Sequence, residues 1–379
     1  MRILPFLLSL STLLAPALAE PIPAHDAQEQ LSGSDNAGDS GVSVALFSSL
    51  ERMSRLVDVA YCVGTSGVSK PFNCISRCKE FPSLSLVTTF NTGPLLGDSC
   101  GYIAVDHGVR RPGVGGQDDA GEKAIIVAFR GTYSLSNTVV DLSTVPQEYV
   151  PYPSPEEPKH KCTNCTVHMG FLSSWRHARK NVLPHLKTLR QQHPDYPIFL
   201  IGHSLGGAVA ALAGLELKAS LQWDNVIVTT FGEPRIGNAG LARFVDDVFE
   251  LDADVDPEEK FYRRVTHVGD PVPLLPLSEW GFRPHSGEIF IGKSDLPPEP
   301  EDLMFCEGAE DARCLSEPDD GEDGGWWGGI ELPGRFKVWE LLFAHRDYFW
   351  RLGLCVPGGD PHDWGRDAYQ LWDPKTDEL

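Results

Sequence analysis

The sequence predicts an α/β fold in which helices cover both faces of a central, mostly parallel sheet. Short apolar segments with the character of strands alternate along the chain with longer segments suited to helices. The strand segments are apolar throughout, as expected for strands that a parallel sheet buries on both faces. The chain has 379 residues, and the part between its two ends has a length typical of one large domain.

The first residues have the features of a secretory signal peptide. A basic second residue precedes an apolar run, and Ala17-Leu-Ala19 supplies the small residues of a cleavage site. We therefore predict a signal peptide over residues 1–19 and a propeptide or flexible leader over residues 20–42, where prolines and glycines are scattered. The predicted domain covers residues 43–357, and residues 358–379 are predicted to form a C-terminal tail.

The composition is strongly acidic. Aspartate and glutamate number 53 against 32 lysines and arginines, which gives a formal charge of −21 at pH 7. This charge repels nucleic acids and anionic membrane surfaces, so a neutral substrate or a neutral interface is the expected partner. After the signal peptide, no stretch approaches the roughly 18 continuous apolar residues of a membrane-spanning helix. We expect no nucleic-acid partner, no transmembrane segment and a monomer.

Nine cysteines in a chain with a signal peptide indicate disulfide bonds, and the odd number leaves at least one cysteine outside them. Cys162-Thr-Asn-Cys165 is open to two other interpretations, half of a zinc site or a redox pair. No second Cys-x-x-Cys motif accompanies it, so a structural disulfide is favoured. The predicted local pairs are Cys74 with Cys78, Cys162 with Cys165, and Cys306 with Cys314.

Two further short motifs belong to the secretory pathway. Asn164 lies in the sequon Asn164-Cys-Thr166 and is a predicted glycosylation acceptor, although an early disulfide at Cys165 would hinder its use. The last four residues, Thr376-Asp-Glu-Leu379, resemble a signal for retention in the endoplasmic reticulum, with threonine in place of the usual basic residue. Extracellular secretion is the favoured interpretation, and retention in the lumen is the alternative.

The predicted elements follow one another in the order that such a sheet requires. A helix around Val44 to Tyr61 comes first, and two more helices are predicted over Phe171 to Gln192 and Leu205 to Ala219. The strand candidates are Tyr102 to Asp106, Ala124 to Phe129, Ile198 to Ile201, Val226 to Phe231, Tyr262 to Val268 and, as the last strand, Glu288 to Ile291.

A turn between one of these strands and the next helix carries the motif Gly202-His-Ser-Leu-Gly206. Glycines two residues either side of a serine allow a sharp turn, because the backbones of strand and helix approach closely there. The turn exposes the serine hydroxyl at the carboxyl end of the strand, where open α/β sheets carry out their chemistry. We predict that Ser204 is a nucleophile and that the amide of Leu205, at the start of the helix, binds a developing oxyanion.

A nucleophilic serine needs a base, and on this architecture the expected chain order is serine, acid, histidine. Asp270 is predicted as the acid because it closely follows a strand and precedes two prolines that fix an ordered loop. His345 is predicted as the base because apolar and aromatic segments flank it and anchor its loop. His285 is assigned a structural hydrogen-bonding role, and His362 lies in the predicted tail, where catalytic positioning would be lost.

The second oxyanion donor is expected from another loop at a strand end that faces the serine. Phe129-Arg-Gly-Thr132 follows an early strand, and its glycine permits a close backbone approach. Thr132 can donate both its amide and its hydroxyl, so it is predicted as this donor. An ordinary turn after a buried strand is the alternative interpretation.

Six short motifs follow one another along the chain: Ala60-Tyr-Cys62, Phe129-Arg-Gly-Thr132, Gly202-His-Ser-Leu-Gly206, Phe231-Gly-Glu-Pro-Arg-Ile-Gly-Asn238, Thr266-His-Val-Gly-Asp270 and Ala344-His345. Together they resemble the fungal class 3 lipase family of the α/β-hydrolase fold, which includes triacylglycerol lipases of filamentous fungi and a related feruloyl esterase. The resemblance runs from about Ala60 to Cys355. It implies the same functional residues as the reasoning from loops and chain order: Ser204, Asp270, His345, Thr132 and Leu205.

The resemblance also implies a disulfide between Cys62 and Cys355, besides the local pairs. Cys100 is then the ninth cysteine, expected to behave as a small buried residue.

In lipases of this family a short amphipathic lid follows the oxyanion residue, and the corresponding stretch here is residues 134–142. Thr138 stands where a tryptophan is frequent, which favours weaker interfacial anchoring or a preference for shorter, partly soluble esters. An alternative interpretation is that the apolar residues of this stretch pack against the core. The predicted lid residues are Leu135, Val139, Val140 and Leu142.

The function implied by the resemblance is that of a secreted serine hydrolase of carboxylic esters, an acylglycerol lipase that forms an acyl-enzyme on Ser204 and acts at a lipid–water interface. A feruloyl-type or short-chain esterase is the alternative, and a catalytically inactive hydrolase-like protein is the third interpretation. The predicted mechanism needs no cofactor and no metal.

Overall fold

The computed structural model of the protein describes residues 41–93, 99–108, 123–132, 149–151, 162–251, 255–315 and 343–368. The predicted signal peptide, the leader up to residue 40 and the predicted lid lie outside the described residues. The same is true of residues 369–379, which include the C-terminal Thr376-Asp-Glu-Leu379 motif.

Helix α1, Val44–Ala60, is the first regular element. Its N-cap is Ser43, whose hydroxyl accepts a hydrogen bond from the Leu46 amide at 3.1 Å and so satisfies one open donor of the first turn. Almost every side chain in the second half of the helix is buried. The helix therefore runs into the interior, and the residue that follows it, Tyr61, is only 1% exposed.

Fourteen strands lie within the described residues. Eight of them form the central sheet: β1 (Leu84–Asn91), β2 (Cys100–Asp106), β3 (Ala124–Phe129), β6 (Ile198–His203), β7 (Val226–Phe231), β9 (Tyr262–His267), β11 (Glu288–Ile291) and β12 (Leu303–Phe305). The others are short: β4 (Tyr149–Pro151), β5 (Thr166–His168), β8 (Gly237–Asn238), β10 (Phe282–Arg283), β13 (Asp347–Tyr348) and β14 (Trp350–Arg351).

The central sheet has the strand order β1-β2-β3-β6-β7-β9-β11-β12. The five strands from β3 to β11 in this order pair with their neighbours in parallel. Antiparallel strands extend the sheet at both edges, β1 and β2 on one side and β12 on the other. The predicted fold class, a mostly parallel sheet flanked by helices, is confirmed.

Three further helices complete the described α-helical structure. Helix α2, Met169–Gln192, begins at the N-cap His168, whose Nδ1 accepts from the Phe171 amide at 3.2 Å. Helix α3, Leu205–Leu215, is shorter than predicted, because Glu216–Ser220 continues it with the wider π-helical hydrogen bonding. Helix α4 spans Ala239–Phe249. None of the described helices has the length and apolar character that a membrane span requires.

Side chains along each strand point alternately to the two faces of the sheet, which produces two hydrophobic cores, one on each face. In β3, Ile125 and Val127 contribute to the core beneath α2, α3 and α4, whereas Ala124 and Ile126 contribute to the core beneath α1. Successive residues of a strand point to opposite faces, so a strand buried on both faces must be apolar throughout. This explains the continuous apolar runs in the sequence.

The structure corrects one strand prediction and adds several strands. Glu288–Ile291 is not the last strand of the sheet, because β12 follows it and pairs with it in antiparallel register. Strands β10, β8, β5 and β4 form a separate sheet of short segments. Elements of two or three residues lack room for a hydrophobic period, so the sequence pattern does not distinguish them from loops.

Four disulfides join the described cysteines in the predicted pairs. Cys62 bonds to Cys355 across a separation of 293 residues, and Cys100 is buried with its thiol donating to Asn91 Oδ1 at 3.0 Å. The three local disulfides are Cys74–Cys78, Cys162–Cys165 and Cys306–Cys314.

The described part of the predicted tail packs against the domain. Asp363, within the short 3-10 turn Pro361–Asp363, is 2% exposed and pairs with Arg77 at 3.1 Å and Arg366 at 2.8 Å. Residues 358–368 therefore contribute a buried, ion-paired carboxylate to the folded chain.

Candidate active site

Ser204 lies on a strained turn between β6 and α3. Its φ of 58° and ψ of −131° are unusual for a residue with a side chain, and its amide donates to Phe231 O at 2.9 Å, which fixes the turn to the neighbouring strand β7. A Cβ atom at Gly202 would lie 2.2 Å from Gly206 O, and one at Gly206 would lie 2.3 Å from Phe129 O. The two glycines are therefore required by close backbone contacts.

Asp270 and His345 form a buried hydrogen-bonded pair. Asp270 follows β9 after a short turn, and His345 Nδ1 lies 3.0 Å from Asp270 Oδ1 and 2.9 Å from Oδ2. Both side chains are fully buried. Because a carboxylate only accepts hydrogen bonds, Nδ1 carries the proton and Nε2 is left as the basic nitrogen.

The Asp270 carboxyl is kept ionised despite its burial. The Val272 amide donates to Oδ1 at 2.9 Å, and the Tyr348 hydroxyl donates to Oδ2. Burial alone would raise the pKa of Asp270, but the neighbouring His345 and the hydrogen bonds from His345, Tyr348 and Val272 lower that pKa below its ordinary value. The carboxylate can thus orient and stabilise a protonated imidazole.

Two reactive atoms in this region are buried. Neither Ser204 Oγ nor His345 Nε2 has a hydrogen-bond partner among the described residues. A hydroxyl and a basic imidazole nitrogen that are left open in this way are the groups that a proton transfer from the serine would join. Ser204 and His345 are each 0% exposed, so the exposed serine hydroxyl predicted from the turn is not observed, and water has little access to either side chain.

The predicted oxyanion donors lie on two adjacent strand ends. Leu205 begins α3 directly after Ser204, and helix N-termini present open N–H groups. Thr132 follows β3, the sheet neighbour of β6, with Phe129 opposite Gly202 in the register. A Cβ atom at Gly131 would lie 2.9 Å from Ser204 Cβ, so the loop of Thr132 passes directly beside the serine.

The remaining predicted site residues lie elsewhere. His285 is buried between Ser286 O, 2.8 Å from its Nδ1, and Glu233 Oε1, 3.1 Å from its Nε2, in agreement with the structural role expected of it. Asn164 is exposed, has a φ of 54° and lies inside the Cys162–Cys165 disulfide loop. The four predicted lid residues, Leu135, Val139, Val140 and Leu142, lie outside the described residues.

Three residues of the site were missed in the sequence. Tyr348 donates to Asp270, and the signal for it was its position three residues after His345 within an aromatic cluster. His203 lies next to the serine and its Nε2 is 2.7 Å from His345 O. Tyr61 contacts His203 Nδ1 at 2.6 Å, and its only signal was the motif Ala60-Tyr-Cys62.

The described residues contain no group of three or more histidine, cysteine, aspartate or glutamate side chains arranged to hold a metal ion.

Comparison with known proteins gives consistent results. Residues 126–280 match the family model described as lipase (class 3). The chain is 59% identical to the secreted mono- and diacylglycerol lipase 2 of Gibberella zeae, over 96% of this chain and 95% of that protein. It is 58% identical to lipase A of Sodiomyces alcalophilus, over 89% of this chain and 88% of that protein.

A solved structure supports the same relationship. The crystal structure of the Lip2 lipase from Yarrowia lipolytica superimposes with a TM-score of 0.69 at 29% identity, covering 84% of this chain and 97% of that one. The predicted resemblance is confirmed, and the Gibberella zeae and Sodiomyces alcalophilus relatives are matched over 95% and 88% of their length. The chain belongs to the class 3 lipase family, and it is a lipase, a serine hydrolase of carboxylic esters.

Proposed function

We propose that the protein hydrolyses acylglycerols through an acyl-enzyme on Ser204, with His345 as the general base and Asp270 as the acid that orients it. The observation that carries this proposal is the buried Asp270–His345 pair, whose carboxylate holds the Nδ1 proton while Nε2 stays open and basic. The open hydroxyl of Ser204 is the group that Nε2 would deprotonate.

Acylation begins when Ser204 Oγ attacks the carbonyl carbon of the ester and His345 Nε2 takes the hydroxyl proton. The resulting imidazolium is stabilised by Asp270, whose lowered pKa keeps it ionised. The negative charge that forms on the carbonyl oxygen is held by the amides of Leu205 and Thr132. When the intermediate collapses, His345 returns the proton to the departing glycerol oxygen, and the acyl group remains on Ser204.

Deacylation uses the same groups with water in place of the alcohol. His345 Nε2 removes a proton from water, the hydroxide attacks the acyl carbon, and the proton then goes back to Ser204 Oγ as the fatty acid leaves. No cofactor is required for either half of the reaction.

The substrate class is supported by the relatives and by the charge of the chain. The Gibberella zeae relative carries the name of a mono- and diacylglycerol lipase. A chain with a net charge of −21 is suited to neutral acylglycerols rather than to anionic lipids. We therefore propose partial acylglycerols at a lipid–water interface as the substrates of a monomeric enzyme.

We also propose that the protein acts outside the cell. The relatives of Gibberella zeae and Penicillium cyclopium are both named as secreted lipases. Disulfides such as Cys62–Cys355 form and persist in the oxidising environment of the secretory pathway. Asn164, exposed on its loop, is the proposed glycosylation acceptor.

The proposal is tested with Ser204→Ala in a fluorophosphonate labelling assay and in hydrolysis of emulsified diacylglycerol. We expect the wild type to be labelled and active, and the variant to lose labelling and at least about 10³-fold in kcat with an unchanged melting temperature. A variant that still hydrolyses diacylglycerol at the wild-type rate would disprove the role of Ser204. Rates on triacylglycerol, diacylglycerol and a soluble feruloyl ester then rank the substrates.

A further inference from the structure

Tyr61 lies where three segments of the site meet: the Gly131–Thr132 loop, the turn of Ser204 and the segment that carries His345. It follows helix α1 directly and is buried, with its hydroxyl 2.6 Å from His203 Nδ1. His203 in turn lies within the turn of the serine, and its Nε2 is 2.7 Å from the backbone oxygen of His345. The ring of His203 also stacks on the ring of His345, with centroids 4.6 Å apart.

The acceptor in each of these hydrogen bonds decides which atom carries the hydrogen. A backbone carbonyl can only accept, so His203 Nε2 carries a hydrogen and donates it to His345 O. Burial and the neighbouring His345 lower the pKa of His203 to about 3, so the ring is neutral and Nδ1 is an acceptor. The Tyr61 hydroxyl must therefore be the donor to Nδ1.

The same hydroxyl also contacts the loop that carries Thr132. The Gly131 backbone hydrogen-bonds to the Tyr61 oxygen, and a Cβ atom added at Gly131 would lie only 2.6 Å from it. Burial raises the pKa of Tyr61 above its ordinary value, so the phenol keeps the proton that it donates. One oxygen thus accepts from the Gly131 loop and donates to the loop of the serine.

We infer that Tyr61 is a positioning residue, whose hydroxyl holds the Gly131–Thr132 loop, the Ser204 turn and, through His203, the backbone of His345 in one fixed arrangement. This inference rests on the proposed function, because it assigns Tyr61 a role only if Ser204 and His345 react. The alternation of donor and acceptor leaves a single tautomer of His203, which makes the arrangement unique. The neighbouring Cys62–Cys355 disulfide links the end of α1 to the segment that follows His345, so the backbone next to Tyr61 is held in place.

The role predicts a specific kinetic defect. A displacement of catalytic groups by about 1 Å can cost about 100-fold in rate, whereas binding of a small soluble ester depends little on these contacts. Removal of the hydroxyl in Tyr61→Phe should therefore lower kcat about 10- to 100-fold and change KM less than about threefold. The melting temperature should fall by about 2–4 °C, because His203 Nδ1 loses its buried donor.

Tyr102→Phe is the matched control. Tyr102 is also fully buried, and its hydroxyl donates to Leu56 O of helix α1 at 2.8 Å. This variant should show a similar loss of melting temperature but a kcat within about twofold of the wild type on a short-chain p-nitrophenyl ester. A kcat in Tyr61→Phe within twofold of the wild type, or an equal loss of kcat in both variants, would overturn the inference.

A pair of variants at His203 keeps the test decisive even if Tyr61→Phe does not fold. The amide of His203→Gln can still donate to His345 O and accept from Tyr61, whereas His203→Leu has neither group. Partial rescue of kcat in the glutamine variant relative to the leucine variant supports the inference, and equal kcat values contradict it. Fluorophosphonate labelling of the wild type is measured alongside: if it fails, the proposed function itself is wrong, and if it succeeds, the variants test Tyr61 alone.

Discussion

Two fully buried aspartates, Asp270 and Asp58, have pKa values shifted in opposite directions. Asp270 lies at the carboxyl end of the sheet beside His345, and its pKa is lowered. Asp58 lies near the end of helix α1, 0% exposed, and burial raises its pKa from 3.8 to about 7, against the opposing effects of Arg77 and a backbone hydrogen bond. The difference shows that burial does not by itself decide the charge of a carboxyl group.

Hydrogen-bond donors account for the difference. Asp270 accepts from the Val272 amide, His345 Nδ1 and the Tyr348 hydroxyl. Asp58 accepts from the Gly353 amide at 2.9 Å, but its Oδ2 is 3.6 Å from Arg77 Nε and lacks a hydrogen-bond partner among the described residues. A carboxylate needs several donors to offset the loss of hydration, and only Asp270 has them.

Replacing each of the two carboxyl groups with an amide should give the largest difference between Asp270 and Asp58. In Asp270→Asn the imidazole of His345 loses its anionic partner and the acceptor that keeps its proton on Nδ1, so kcat should fall about 10⁴-fold. Asp58→Asn should retain kcat within about twofold, because an amide also accepts from Gly353. Steady-state kinetics on a soluble ester measure both, and an equal loss in the two variants would show that the carboxyls act through the fold alone.

The pH dependence of stability should come next in size. Asp58 holds a proton in the folded protein up to about pH 7, whereas the unfolded chain releases it near 3.8. The folded state therefore binds more protons between these values, and the free energy of unfolding should decrease as the pH rises from about 4 to about 7, by up to about 4 kcal/mol. Above pH 7 this contribution is constant.

Urea unfolding at pH 5 and pH 8 measures this effect, with Asp58→Asn as the reference. The amide does not titrate, so the difference in unfolding free energy between the two pH values should be smaller in the variant than in the wild type. Equal differences would mean that Asp58 is already ionised at pH 5.

The smallest expected effect concerns a single donor. Tyr348→Phe removes one of the hydrogen bonds that lower the pKa of Asp270, so this pKa should rise and kcat should fall about tenfold. The acidic limb of the profile of kcat/KM against pH should move to higher pH. Tyr262→Phe, which removes a donor from the buried Glu233 instead, should leave that limb in place; a shift in both variants would contradict the role of Tyr348.

The sequence was informative wherever a local pattern reflects a local physical cause. The parallel strands β3 and β7 have the predicted bounds, since a strand buried on both faces must be apolar. The chain order serine, acid, histidine, together with the recognisable segment that each residue follows, led to the prediction of Ser204, Asp270 and His345. The structure brings Asp270 and His345 together across 75 positions.

Contacts between distant segments were beyond the reach of such patterns. Tyr61 and His203 are separated by 142 positions, and nothing in their immediate neighbours specifies which atom donates to which. The donor to Asp58 likewise comes from Gly353, 295 positions away. Partners of this kind are set by the packing of helix α1 against the central sheet and the C-terminal segment, which only the folded chain specifies.

The Cys62–Cys355 disulfide has a consequence for the order of events during synthesis. Its two cysteines are separated by 293 residues, so at about 5–20 residues per second the ribosome needs roughly 15–60 s after Cys62 before Cys355 exists. During that interval the Cys62 thiol can be oxidised only to a wrong partner, and the two nearest cysteines are Cys74 and Cys78, which bond to each other in the folded protein. The Cys62–Cys355 bond, which holds the backbone next to Tyr61, is therefore among the last disulfides to form. A chain truncated before Cys355 cannot make it.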